Sequence, residues 1–177
     1  MQFPIYSNLK NDVKVELDYM HLQEVEQVRE LLNIIILEGN SYPQIYPLSE
    51  AEFISYWMAN KSYVVRGCFK SGTKILGGFF VKPNFPGRCS HICNAGFIVN
   101  SQWRGQGIGR LMAETMLKVA AHLKYEAVML NLVFETNIPS VRLWESLGFD
   151  TIGRIPQGVL LQKGERVDAL IMYRPIK

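Results

Sequence analysis

The sequence predicts a mixed α/β fold: a single domain whose mostly antiparallel central sheet carries helices on both faces. Three observations carry that expectation. β-rich runs alternate with segments of helical periodicity in the order β-α-α-β-β-β-α-β-α-β-β. No repeat, linker or low-complexity tract divides the 177 residues. A hydrophobic share of 48% supplies one sizeable core, so one domain is expected over residues 1–177.

The elements follow in chain order. Val13 to Asp18 alternates like a strand (VKVELD). Gln23 to Glu38 places Val25, Val28, Leu31, Leu32, Ile35 and Ile36 on one helical face, with acids near its start. Two prolines in Tyr42 to Pro47 prevent that helix from continuing. Ser49-x-x-Glu52 is a capping-box pattern, opening a short helix through Met58. Tyr63 to Phe69 and Ile75 to Val81 read as strands around a turn at Lys70 to Lys74. A Pro/Gly loop, Lys82 to Ser90, leads into a strand from Ile92 to Val99. After Asn100 to Gly109 comes a helix from Arg110 to about Leu123. Ala127 to Val133 is a strand, and Ser140 to Leu147 a helix stopped by Gly148. Strands near Thr151 to Ile155 and Val167 to Tyr173 close the chain.

Composition excludes a disordered, collagen-like or low-complexity protein. The start, MQFPIYSNLKND, lacks the basic and apolar regions of a signal peptide, and no apolar run approaches the roughly 18 residues of a membrane span. A cytoplasmic location without membrane partners is therefore expected. Three cysteines, Cys68, Cys89 and Cys93, argue against a disulfide scaffold. Cys89-x-x-x-Cys93 with His91 between them lacks a second ligand pair, so buried or free thiols are expected and no metal.

The net charge is only +3, yet Phe53 to Ala113 holds no Asp or Glu and eight basic residues. These are Lys61, Arg66, Lys70, Lys74, Lys82, Arg88, Arg104 and Arg110. Such a basic middle between acidic flanks points to an anionic partner. Nucleic acid is a poor fit, because the charges are spread rather than clustered among exposed aromatics.

The sharpest local signal is Arg104-Gly105-Gln106-Gly107-Ile108-Gly109-Arg110, between a strand and a helix. Glycines there let backbone N–H groups turn inward, and the helix start adds its positive end, making a phosphate cradle. A turn that merely joins strand to helix carries the same glycines. No G-K-[ST] follows, and the Gly105-x-Gly107-x-Gly109 spacing is not that of a dinucleotide fingerprint. A second segment is Asn137-x-x-Ser140-x-x-Leu143-Trp144-x-x-x-Gly148-Phe149. Alone it is more often an ordinary packed helix with an Asn cap.

Together, with a strand between them, the two segments resemble the GNAT family of acetyl-CoA-dependent N-acetyltransferases. That family's loop [RQ]-x-x-G-x-[GA] is matched by Arg104, Gly107 and Gly109, and its next segment through Phe149. Further stretches are similar to the fungal proline-analogue acetyltransferases, which act on azetidine-2-carboxylate and related imino acids. They include Tyr42-Pro43-Gln44, Tyr56-Trp57, Lys82-Pro83-Asn84-Phe85, Arg88-Cys89-Ser90-His91, Cys93 to Phe97 and Asn131 to Phe134.

The resemblance implies a splayed pair of central strands and acetyl-CoA as co-substrate. The pyrophosphate would rest on Arg104, Gly105, Gln106, Gly107, Ile108, Gly109 and Arg110. Pantetheine would run along backbone groups of Phe97, Ile98 and Val99, with Asn137 and Trp144 flanking the cofactor. The strand 92–99 lacks the Glu that many members use as base, and Trp144 stands where many have a Tyr acid. Asn94, Asn131 and Asn137 are then expected to converge on the reacting groups, orienting the nucleophile and a water that takes its proton. Arg88, His91, Asn94 and Phe85 are expected around the substrate, Arg88 against a carboxylate. Tyr42, Tyr46, Phe53, Trp57 and Phe85 are expected to wall an apolar pocket. The family analogy adds a homodimer. The competing expectations are a GNAT enzyme for another small amine or peptide N-terminus, and a catalytically silent CoA-binding sensor.

Overall fold

The computed structural model describes residues 1–176. Eight strands form one sheet in the order β1-β2-β3-β4-β5-β6-β8-β7. The strands are β1 (Ile5–Asn8), β2 (Lys14–Tyr19), β3 (Lys61–Phe69), β4 (Gly72–Pro83), β5 (Ile92–Val99), β6 (Ala127–Phe134), β7 (Asp150–Leu160) and β8 (Arg166–Pro175). All neighbours are antiparallel except β5 and β6. The expected mixed α/β domain is thus present, with β1 added at one edge.

Four helices cover the sheet: α1 (Val25–Glu38), α2 (Glu50–Phe53), α3 (Ile108–His122) and α4 (Ile138–Ser146). The predicted apolar stripe of α1 is buried in full, from Val25 to Ile36. Gly39, at φ 67°, ends that helix in the left-handed region. Ser49 and Glu52 form the expected capping box, and α2 runs on as a π-helical turn, Ile54–Met58. On this face α1, Phe53 and Trp57 pack over Val64, Phe80 and Ile98. On the other face α3 and Trp144 of α4 pack over Tyr63, Phe79, Val81 and Cys93. Ring contacts run across this side from Tyr63 to Phe79, Phe97, Trp144 and Phe149.

Several boundaries differ from the sequence reading, for local reasons. The β3–β4 hairpin is tighter than expected, with Phe69 opposite Gly72, whose φ of 112° suits glycine. β4 takes in Lys82 and Pro83. α3 begins at Ile108, two residues early, so the end of the glycine loop is already its first turn. β7 continues past Pro156, because a bulge between Ile155 and Val159 absorbs it on an edge strand.

The basic middle does not act as one surface. Arg66, opposite Glu16 on β2, is buried at 8% exposure. Its guanidinium donates to Glu16 (2.9 Å), to both oxygens of Glu24 (2.6 and 2.8 Å) and to the Tyr19 carbonyl (2.9 Å). That clamp ties the start of α1 to the sheet. The charge that these eight basic residues can turn toward a partner is therefore smaller, since Arg66 is neutralised inside the fold.

Burial alone would raise the Glu24 carboxyl, but hydrogen bonds from Arg66 and the His21 N–H outweigh it and hold it below its ordinary value. A depressed carboxylate stabilises the fold above its unfolded pKa, about 4.3, and that contribution disappears as pH falls through the folded value. Glu24→Gln should cost about 1–3 kcal/mol at pH 7 in urea unfolding. Its gap from the parent should narrow below about pH 4, and a constant gap down to pH 3 would refute the clamp.

Candidate active site

β5 and β6 pair over only two residue pairs, Ile92 with Ala127 and Cys93 with Val128. Beyond them the strands part. The cause lies on β6, where a bulge between Leu130 and Val133 shifts its register against β8. β5 meanwhile stays paired to β4 through Val99. At the point of parting Asn94 Nδ2 donates to the Met129 carbonyl (2.8 Å), a side chain taking up the ladder where the backbone leaves it.

The opening encloses a cleft of about 250 Å³ bordered by Asn94, Phe97, Asn131, Asn137 and Trp144, with Tyr42 and Tyr56 from the α1–α2 side. The bulge aims Asn131 into this space. Its Nδ2 donates to Asn84 Oδ1 (2.6 Å), while its Oδ1 is buried without a hydrogen-bond partner among the described residues. An unpaired buried acceptor is costly unless something fills it. Asn137 caps α4, its Oδ1 accepting from the Ser140 N–H (3.3 Å). Three of the sequence-derived residues, Asn94, Asn131 and Asn137, thus border one cleft.

Trp144 is buried, and its indole N–H donates to Ser140 Oγ (3.0 Å). Tyr42 donates to the Phe97 carbonyl (3.0 Å), so that backbone group, expected to be free, already carries a hydroxyl. Gly96 makes this possible: a Cβ there would stand 2.5 Å from Phe80 and 3.2 Å from the Tyr42 oxygen. Burial raises the Tyr42 phenol well above its usual value and raises Tyr56 as well. Both remain proton-bearing groups at neutral pH.

The glycine loop lies beside the cleft. Gly105 and Gly107 have φ of 78° and 97°, and a Cβ on either would meet nothing within 4 Å. Gly107 begins α3 with no side-chain cap, leaving the first-turn N–H groups without a side-chain partner. Gly109 lies beside Leu143 of α4, where a Cβ would make only ordinary contact. The cations are partly engaged: Arg104 pairs with Glu38 (2.6 Å), and Arg110 with Glu114 (3.4 Å) and Ser146 Oγ (2.8 Å). The Gln106 carbonyl accepts from the Lys10 N–H (3.2 Å).

The substrate-side residues are more scattered. Phe85, Arg88 and His91 are exposed around the turn Gly87–Cys89, and none borders the cleft. Of the expected aromatic wall only Tyr42 does so. Phe53 and Trp57 are core residues, and Tyr46 and Phe85 face solvent. Tyr56 and Asn84 were not given a site role, though both lie within segments that carried the resemblance, as does the motif residue Ser140. Among the described residues no group of three His, Cys, Asp or Glu side chains is arranged to hold a metal. Cys93 is buried and its thiol is pushed up to about 12, keeping it protonated.

No helix among the described residues is long and apolar enough to cross a membrane. The chain is 49% identical over 100 residues to the N-acetyltransferase aca1 of Schizosaccharomyces pombe, covering 56% of this chain and 48% of that protein. It is 30% identical over 88 residues to the L-amino acid N-acetyltransferase AaaT of Escherichia coli, covering 49% of this chain and 53% of AaaT. The chain thus spans about half the length of these two curated relatives. Among solved structures it is similar to a GCN5-related N-acetyltransferase from Kribbella flavida, with TM-score 0.84 and 28% identity over 91% of this chain and 97% of that one. The fold is also that of YncA from Salmonella typhimurium, solved with its cofactor acetyl-CoA, at TM-score 0.81 and 16% identity over 97% and 95% of the two chains. A family model for the acetyltransferase (GNAT) family matches residues 29–149, and with this sheet and cleft the chain belongs to that family.

Proposed function

We propose that the protein is an acetyl-CoA-dependent N-acetyltransferase whose acceptor is a small amino or imino acid, such as azetidine-2-carboxylate or cis-4-hydroxyproline. One observation carries the reading: the two-pair ladder opens into a cleft lined by three Asn residues, beside an uncapped helix start. The names of two relatives, an L-amino acid N-acetyltransferase and the N-acetyltransferase aca1, support it.

The residues present fit acetyl-CoA. The open space over Gly105 and Gly107 suits phosphate oxygens near the backbone N–H groups of Gly107, Ile108, Gly109 and Arg110. Arg104 and Arg110 supply charge at the rim. The Val99 backbone groups and the Phe97 N–H, turned away from β4, offer the β5 edge for a pantetheine arm, whereas the Ile98 backbone faces its β4 partner Gly78. Acetyl-CoA, when bound, supplies the activated acetyl group.

The chain's own part is to bind and orient the acceptor. Asn131 Oδ1 is a buried acceptor left for an amine N–H, and Asn94 and Asn137 hold the approach from either side. The titratable side chains bordering the cleft are Tyr42 and Tyr56, both raised phenols. Neither is a base near neutral pH, so the amine proton leaves to water. A cytoplasmic homodimer belongs to the same reading, with the exposed edge strand β7 and its outward Ile152, Ile155 and Leu160 as a surface for it.

The decisive test is release of free CoA across a panel of azetidine-2-carboxylate, cis-4-hydroxyproline, polyamines and peptide amines. Turnover confined to the small acids is expected, and turnover only on the others would overturn the substrate reading. Gly107→Val should weaken acetyl-CoA about tenfold or more in calorimetry, since a β-branched residue is strained at this φ. Equal affinity would place the phosphates elsewhere.

Asn131→Ala and Asn94→Ala should each lower kcat/KM by roughly 10- to 100-fold, the worth of a hydrogen bond in an ordered complex, without unfolding. Unchanged rates in both would remove the amides from the mechanism. The pH profile is equally specific. A group that reacts only when neutral, with an ammonium pKa near 10, makes kcat/KM climb about tenfold per unit from pH 6 to 9. A plateau beginning between pH 6 and 7 would instead reveal a carboxylate or imidazole base.

A further inference from the structure

The sheet face that carries Asn94 also carries a cation outside the residues read from the sequence as the site. Lys82 stands on β4 directly opposite Asn94, two residues beyond Phe80 and so on the same face. Its Nζ lies 5.5 Å from the Phe80 ring centroid and 5.7 Å from that of Tyr56, and both rings border the cleft. The side chain is half-buried, and among the described residues no carboxylate lies within salt-bridge distance of it.

The other cations of the acid-free stretch are placed differently. Arg66, Arg104 and Arg110 have carboxylate partners. Lys61, Lys70 and Lys74 are exposed on the β3–β4 hairpin, and Arg88 is exposed outside the cleft. Two aromatic faces can hold an ammonium in place, yet its three N–H donors still need acceptors. An ammonium held against two rings that border the cleft, with no carboxylate of its own, is a seat for an incoming anion.

Resting on the proposed function, we propose that Lys82 binds the carboxylate of the acceptor, so that the protein selects amines bearing an α-carboxylate over their neutral analogues. In an α-amino or imino acid one carbon separates nitrogen from carboxylate. Side chains directly opposite on neighbouring strands start about 5 Å apart. A nitrogen held at Asn94 and Asn131 therefore leaves its carboxylate within reach of the long Lys82 stem. A rotatable point charge tolerates ring acids of different size, where a fixed guanidinium fork would demand one approach.

The test compares azetidine-2-carboxylate and L-proline with their carboxamides, using the parent protein, Lys82→Met and Lys82→Arg. Acetyl-CoA affinity by calorimetry and the melting temperature serve as controls for binding and folding. The parent is expected to prefer the acids, and Lys82→Met to raise KM for the acids about 10- to 100-fold while leaving kcat and acetyl-CoA affinity nearly unchanged. The acid-over-amide preference should collapse in Lys82→Met and return in Lys82→Arg for one ring size more than for the other. An acid preference that survives in folded Lys82→Met overturns the role of Lys82 and leaves the proposed function standing. A parent protein that prefers the amides, or turns over no acid, overturns the proposed function and this inference with it.

Discussion

The parting of β5 from β6 is the constraint on which the rest of the site depends. A parallel pair is normally held by evenly spaced backbone bonds along its length. Here the ladder stops after Cys93 and Val128, and the bulge around Asn131 turns β6 toward β8 instead. Everything polar in the cleft answers to that break. Asn94 bridges the gap to Met129, Tyr42 takes the Phe97 carbonyl, and Asn131 is left with a buried unpaired oxygen. A fully zipped sheet would satisfy these backbone groups internally and leave no space between the strands. The cost of incomplete pairing is offset by packing on both faces, where the Trp57 and Trp144 clusters hold the sheet from either side.

Much of this architecture was legible in the sequence because local chemistry determines it. β5 was read to the residue, and the α1 stripe and the Ser49–Glu52 box were read from periodicity and capping. β1 was missed because it is four residues long and follows Pro4, too short for alternation to register. The sequence shows only half of β7, because Pro156 and Gly158 resemble a terminus. In the fold, Gln157 takes a positive φ of 50° and its N–H finds the Asp168 carboxylate (2.9 Å), so the strand resumes.

The site was legible where it rests on backbone and less so where it rests on orientation. Glycines at 105 and 107 announce a loop with left-handed φ and room above it, and the structure has both. Asn94, Asn131 and Asn137 come together because their segments flank one opening. The aromatic wall was misassigned because residue type does not say which ring faces the cleft. The π-helical turn after α2 buries Trp57 against Phe80 and leaves Tyr56 at the rim. Likewise, charge counted along the chain did not distinguish Arg66, which is spent inside the fold, from Lys82, which is not. Partners distant in sequence, Glu16 across the sheet and Glu24 at the start of α1, make that difference visible.

The chemistry open to such a cleft is limited by what borders it. With Trp144 bonded to Ser140, and Tyr42 and Tyr56 raised by burial, the walls offer hydrogen-bond donors and amide oxygens but no base near neutral pH. Amide groups do not change charge as a reaction proceeds, and phenols raised by burial keep their protons near neutral pH, so their contribution lies in position and in fixed dipoles. The acid-free stretch has the same consequence from the other direction. A carboxylate on β5 would serve as a base, and it would also neutralise a cation on β4 at the distance separating Asn94 from Lys82. Leaving that strand without an acid keeps the cation available for a charge that arrives with the substrate, at the expense of a built-in proton acceptor.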